Sequence, residues 1–78
     1  MITPAQCLEA RKLLRWSRDR LAPRCGMPAE RLRMFEIGSR ELSAKDRATL
    51  KRRLEAAGIE FTNGSEAGVK LSKVQPAN

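Results

Sequence analysis

Along residues 4–57 the apolar positions return at intervals of three and four, and beyond Gly58 they alternate with polar ones. Thr3-Pro4 reads as an N-cap followed by a proline in the first helical position, and Cys7, Ala10, Leu13 and Leu14 then predict a helix ending near Leu14 or Arg15. Trp16 follows, expected to pack under the corner to the next segment, where an indole buries much apolar area. Ser17 caps a second helix carrying Leu21, Ala22 and Cys25; Pro23 inside it removes a hydrogen bond and is expected to bend or shorten it. Gly26 permits a sharp reversal at Cys25-Gly26-Met27. Pro28 then stands at the first position of a third helix that turns Leu32 and Phe35 inward. Ala29, Glu30, Arg31, Arg33, Met34 and Ile37 fall outside or at its margin, and Gly38 ends it in a left-handed cap.

After a loop at residues 39–42, Ser43 caps a fourth helix, with Asp46 three residues on, Leu50 and Leu54 inward, and Gly58 closing it after Ala57. Ile59 to Thr62 alternates, Asn63-Gly64 starts a turn, and Val69-Lys70-Leu71 alternates again, predicting a hairpin with a loop of about six residues. A lone hairpin is marginal, so these strands must pack on the helices or on a second subunit. An exposed strand edge invites pairing with its symmetry mate, which makes Ile59, Phe61, Val69 and Leu71 the expected dimerisation residues. The fold expected is mostly α, four helices with a helix-turn-helix at their centre and a short C-terminal β-hairpin or strand pair. Residues 1–58 form the helical unit, 59–73 the β extension and 74–78 a flexible tail.

Charge narrows the choice of partner. The chain has 78 residues and a formal charge of +7. Residues 1–40 carry nine basic and four acidic groups, residues 41–58 five and three, and residues 59–78 two and two, so the excess sits on the helices. Arg18, Arg20, Arg24, Arg31 and Arg33 all fall in the helix-turn-helix stretch, and a compact basic helix pair suits the major groove of duplex DNA. Lys51-Arg52-Arg53 reads as a solvated face that adds to the field.

Histidine is absent, which excludes a His-based catalytic centre and a Cys/His zinc site. No nucleophile is paired with a base, no metal-ligand cluster occurs and no glycine loop cradles phosphate; neither an enzyme nor a cofactor is expected. The two cysteines do not make a disulfide framework, and Cys25 reads as a packed core residue. No apolar run reaches the roughly 18 residues of a membrane span, and no signal peptide is read, so the expected location is the cytoplasm.

Residues 3–57 resemble the lambda-repressor/Cro-like helix-turn-helix family of transcriptional regulators, also called the xenobiotic-response-element family. The matching residues are Trp16-Ser17, Leu21-Ala22, Cys25-Gly26-Met27, Leu32 and Phe35-Glu36-Ile37-Gly38. Gly58 to Gly64 followed by Gly68 to Leu71 is similar to one subgroup of small regulators in that family. The resemblance implies that Ala29, Glu30 and Met34 read base edges, with Arg18, Arg31 and Arg33 taking bases or phosphates beside them. It implies phosphate contacts from Ser17, Arg40 and the helix start Ser43 to Lys45, and a structural ion pair between Arg11 and Glu36. The family often has a polar cap where Pro28 stands and a glutamine where Arg18 stands. Two of the three base-reading positions are apolar here, which leaves direct readout to arginines and a Glu30–cytosine contact, with much of the affinity from phosphates.

The function these expectations favour is a sequence-specific DNA-binding regulator, a repressor by default, reading a partly palindromic operator as a homodimer with its third helix in the major groove. A protein-interaction module on the same fold, as in an antitoxin or an antiactivator, is the alternative that an outward Met34 and Ile37 would serve.

Overall fold

A reciprocal cap fixes the first turn of the chain. In the computed structural model, which describes residues 2–62 and 68–71, the Thr3 hydroxyl accepts the Gln6 amide at 3.1 Å and Gln6 Oε1 accepts the Thr3 amide at 2.9 Å. This capping box starts α1 (Pro4–Leu14), whose first proline gives up an N–H that has no intrahelical acceptor. The helix ends at Arg15, which adopts the left-handed conformation at φ 58°.

Ser17 caps α2 (Arg18–Arg24) by accepting the Arg20 amide at 3.1 Å. Pro23 sits next to the last residue of this seven-residue helix, so its effect is to shorten. The reversal that follows is a Schellman motif. Met27 N–H donates to the Ala22 carbonyl and Gly26 N–H to the Pro23 carbonyl, each at 3.1 Å, with Gly26 at φ 71°. Pro28 is extended and stands as the N-cap of α3 (Ala29–Glu36), one residue earlier than the sequence placed it in the helix. The same motif closes α3: Ser39 N–H reaches the Met34 carbonyl at 2.9 Å and Gly38 takes φ 78°. α4 (Ala44–Ala56) starts under the Ser43 hydroxyl and stops at Gly58, φ 106°.

Gly58 turns the chain back into β1 (Ile59–Thr62), which pairs antiparallel with β2 (Gly68–Leu71) in the register Ile59 to Leu71, Phe61 to Val69 and Thr62 to Gly68. The interval between the strands is five residues, because β2 begins one residue before Val69. The expected Asn63-Gly64 turn and the flexible tail 74–78 lie outside the described residues. One polar link docks the hairpin on α1, Gln6 Nε2 donating to the Gly68 carbonyl at 3.4 Å, and within the hairpin Gly68 N–H donates to the Thr62 hydroxyl at 3.0 Å. β1 packs on α4 and β2 on α1.

The fold is thus mostly helical, four helices with a short two-stranded antiparallel sheet at the C-terminal end. Its core joins Cys7 and Ala10 of α1, Leu21 and Ala22 of α2, Leu32 and Phe35 of α3, and Leu50 and Leu54 of α4. Ile2, Met27 and Leu42, which no periodicity assigned, are buried with them from loop positions. Leu13 departs from expectation: it lies about 60° around the helix from Ala10 and is 38% exposed. Ile59 is a second correction. As the first residue of β1 it folds back into the core of its own chain, where no partner can reach it, while Phe61 and Val69 pack against that core and Leu71 alone of the four expected dimer residues is exposed. Among the described residues no helix is long and apolar enough to cross a membrane.

At Gly26 an added Cβ would meet nothing within 4 Å, so only the left-handed backbone opposes a side chain. Gly26→Ala is therefore expected to cost about 1–2 kcal/mol, read as a lower urea midpoint with an unchanged denaturant slope.

Candidate nucleic-acid interface

α3 is short, about 12 Å, and its placement depends on its last residue. Glu36 is buried, its side chain 1% exposed, and receives four hydrogen bonds from two other helices. Arg11 of α1 spans the carboxylate with Nε on Oε2 at 2.7 Å and Nη2 on Oε1 at 2.8 Å. Arg18 of α2 adds Nε on Oε1 at 2.9 Å, and the Cys7 thiol donates to Oε2 at 3.1 Å. Arg11 also donates through Nη1 to the Trp16 carbonyl at 2.9 Å, so it fixes the α1–α2 corner as well. Burial acts to raise the Glu36 carboxyl, but the hydrogen bonds from Arg11, Arg18 and Cys7 prevail and hold it below its usual value near 4.5. The same burial, reinforced by the carboxylate, pushes the Cys7 thiol far up, and burial raises Cys25 too. Neither thiol is a nucleophile at neutral pH.

The expected Arg11–Glu36 pair is thus present, and Arg18, expected to read bases, is the third member of the same cluster. Its position at the first residue of α2 turns it toward the end of α3, leaving its side chain 36% exposed against 12% for Arg11. Sequence alone offered no sign of this partner, nor of the Cys7 thiol.

At 100° per residue, the buried Leu32, Phe35 and Glu36 leave Glu30, Met34 and Ile37 at the centre of the opposite face of α3, with Arg31 and Arg33 on its two flanks. Ile37 is 57% exposed and Met34 half-buried. Arg33 forks onto Glu30 at 3.0 and 2.7 Å, a hydrogen-bonded pair that lowers the Glu30 carboxyl. Arg31 lies 3.5 Å from Asp46 of α4. The outer face therefore carries one carboxylate and two apolar side chains at its centre, and the arginine on each flank is already paired with a carboxylate.

Around it stand the residues expected to hold phosphates. Ser17, Arg40, Ser43 and Lys45 are all exposed. Arg40 N–H donates to the Met34 carbonyl at 3.2 Å, keeping that loop against the end of α3. The Arg31–Asp46 contact places the first turn of α4 beside α3. Ser17 and Ser43 each accept a backbone amide as N-caps, which leaves their O–H free to donate outward. Ala29 is half-buried against the core and has little surface to offer a base. Arg47 is a missed structural residue: it donates to the Ile2 carbonyl and lies over the Phe35 ring at 5.4 Å, fastening the start of the chain to α4.

Comparison of the chain with family models and with curated proteins gave no match.

Removing one partner of a buried pair strands the other charge. Arg11→Ala is expected to destabilise by about 3–5 kcal/mol in urea unfolding, and Arg18→Ala, whose side chain is 36% exposed, by much less. Because the folded Glu36 carboxyl lies below its ordinary value, its contribution is complete above pH near 4.5 and fades as pH falls through the lower folded value. Glu36→Gln should flatten that acid limb of the melting temperature.

Proposed function

We propose that the protein is a sequence-specific DNA-binding transcriptional repressor of the cytoplasm, which binds a partly palindromic operator as a homodimer with α3 in the major groove. The observation that carries this reading is the exposed α3. Glu30, Arg31 and Ile37 of its outer face are exposed, a buried ion cluster sets its orientation, and the exposed Arg40 loop and the first turn of α4 lie beside it. A duplex presents bases to a single helix in its major groove and phosphates to the elements on either flank, and this surface has that order.

On DNA, Arg33 exchanges Glu30 for a phosphate or a guanine edge, which frees Glu30 to accept from a cytosine amino group. Met34 and Ile37 meet thymine methyls, while Ser17, Arg40, Ser43 and Lys45 hold phosphates. The exchange is cheap because the Arg33–Glu30 pair is exposed and therefore contributes little to stability. The dimer contact narrows to Leu71 and the outer strand edges of the hairpin, which no other described strand pairs, since Ile59 is internal. Two α3 helices one turn of duplex apart, about 34 Å, define the operator spacing. No catalytic step belongs to this reading.

The exposed Ile37 beside Met34 favours a second reading, in which the outer face of α3 packs on a protein partner as in an antitoxin or an antiactivator. Charge separates the two. Arg31→Glu with Arg33→Glu should abolish a gel shift on the chain's own promoter, whereas an apolar partner interface would survive. With about six to ten phosphates neutralised per dimer, log affinity should fall against log salt with a slope near −5 to −9. Equal, weak binding to every duplex would overturn the specific reading.

A further inference from the structure

A second basic surface lies away from α3. Arg20 and Arg24 project from the flank of α2 about 140° around its axis from Arg18. Their guanidinium carbons lie 5.5 and 4.9 Å from the centroid of the Trp16 ring. Arg24 is held there by donating through Nη1 to the Arg20 carbonyl at 2.8 Å. Across from them, Arg53, Ala56 and Ala57 at the C-terminal end of α4 complete a groove of about 460 Å³ lined also by Trp16 and Arg24. A second depression, sharing Arg53 and Ala56 with the first, is lined also by Thr49 and Arg52. Arg53 is some 15 Å along α4 from Ser43, at ten residues of rise, so the groove is remote from the end of α4 that adjoins α3.

Unlike Arg11, Arg18, Arg31 and Arg33, the arginines here have no carboxylate within 4.0 Å among the described residues. We propose that this groove binds an acidic peptide segment of a partner protein, its carboxylates on Arg20, Arg24, Arg52 and Arg53 and an apolar side chain on Ala56 and Ala57. Three features select that occupant. A guanidinium over an indole directs its N–H groups outward to a carboxylate, and Arg24 spends only Nη1 on the Arg20 carbonyl. The Trp16 ring is already covered by arginine, so it is no platform for a nucleotide base. The alanine floor matches an apolar side chain, which a phosphodiester backbone does not carry. The inference is independent of the DNA reading, because the two surfaces share no residue.

Trp16 is the sole tryptophan, so its emission reports the groove directly. The full chain is titrated with a short synthetic peptide of glutamates interspersed with leucines, and separately with its lysine counterpart and with a single-stranded oligonucleotide. A saturable change in emission with the glutamate peptide alone is expected. Arg24→Ala with Arg53→Ala should weaken it about tenfold, and Ala56→Glu, which leaves every arginine in place, should do the same. Arg31→Glu with Arg33→Glu should leave it unchanged. No emission change at millimolar peptide, equal binding by the groove variants at an unchanged melting temperature, or tighter binding of the oligonucleotide would each overturn the proposal.

Discussion

One buried carboxylate organises the helical part of this protein. Glu36 closes α3, and the groups that satisfy it come from α1 (Arg11 and Cys7) and from the first residue of α2 (Arg18). Arg11 extends the same network to the Trp16 carbonyl, so three helices and the corner between two of them answer to one side chain. Apolar packing of Leu32 and Phe35 is non-directional and does not by itself select one orientation of α3. Hydrogen bonds to a desolvated carboxylate have no such freedom. A buried ion pair is weak evidence for net stability; what this one supplies is direction.

The positive charge of the chain divides by what each guanidinium already touches. Arg11 and Arg47 are structural, one on Glu36 and one on the Ile2 carbonyl. Arg18, Arg31 and Arg33 have carboxylate neighbours in the free protein. Arg20 and Arg24 lean on an indole and have none among the described residues. A net charge of +7 therefore does not describe one uniformly basic face. Beside α3, Arg18, Arg31 and Arg33 are paired and exchangeable, whereas Arg24 and Arg53 in the concavity between α2 and α4 have no carboxylate partner among the described residues.

Much of the fold was legible because its boundaries are written in single residues. Ser17 and Ser43 stand one position before their helices, and Gly26, Gly38 and Gly58 occupy the positive-φ positions after α2, α3 and α4. Such signals act locally and need no knowledge of the tertiary structure. What stayed hidden depends on contacts distant in sequence. Ile2, Met27 and Leu42 are core residues without periodic neighbours, so no pattern could mark them. Ile59 alternates as an edge strand does, yet its burial follows from where Gly58 aims the chain. The Arg11–Glu36 pair came from a family resemblance, whereas Arg18 joins it through geometry that the same resemblance did not supply. Trp16 was expected beneath its corner and is half-buried there, but two stacked arginines make it the wall of a groove as well.

The outer face of α3 sets a physical condition on any sequence preference it has. Its centre is Glu30, Met34 and Ile37, so the groups that would meet bases most directly are an anion and two apolar side chains, not the arginines. An anion facing a polyanion is unfavourable unless its charge is met, and in the free protein Arg33 meets it through both guanidinium nitrogens. Moving Arg33 to the duplex removes that compensation, and Glu30 then tolerates only a site that offers a donor, which in the major groove means cytosine or adenine. At the wrong base the carboxylate is left desolvated without a partner, a larger penalty than the loss of a single hydrogen bond. If α3 enters a duplex as proposed, discrimination on this surface would arise mainly by rejection: the arginines would bring α3 to the duplex, and Glu30 would refuse the sequences that cannot satisfy it.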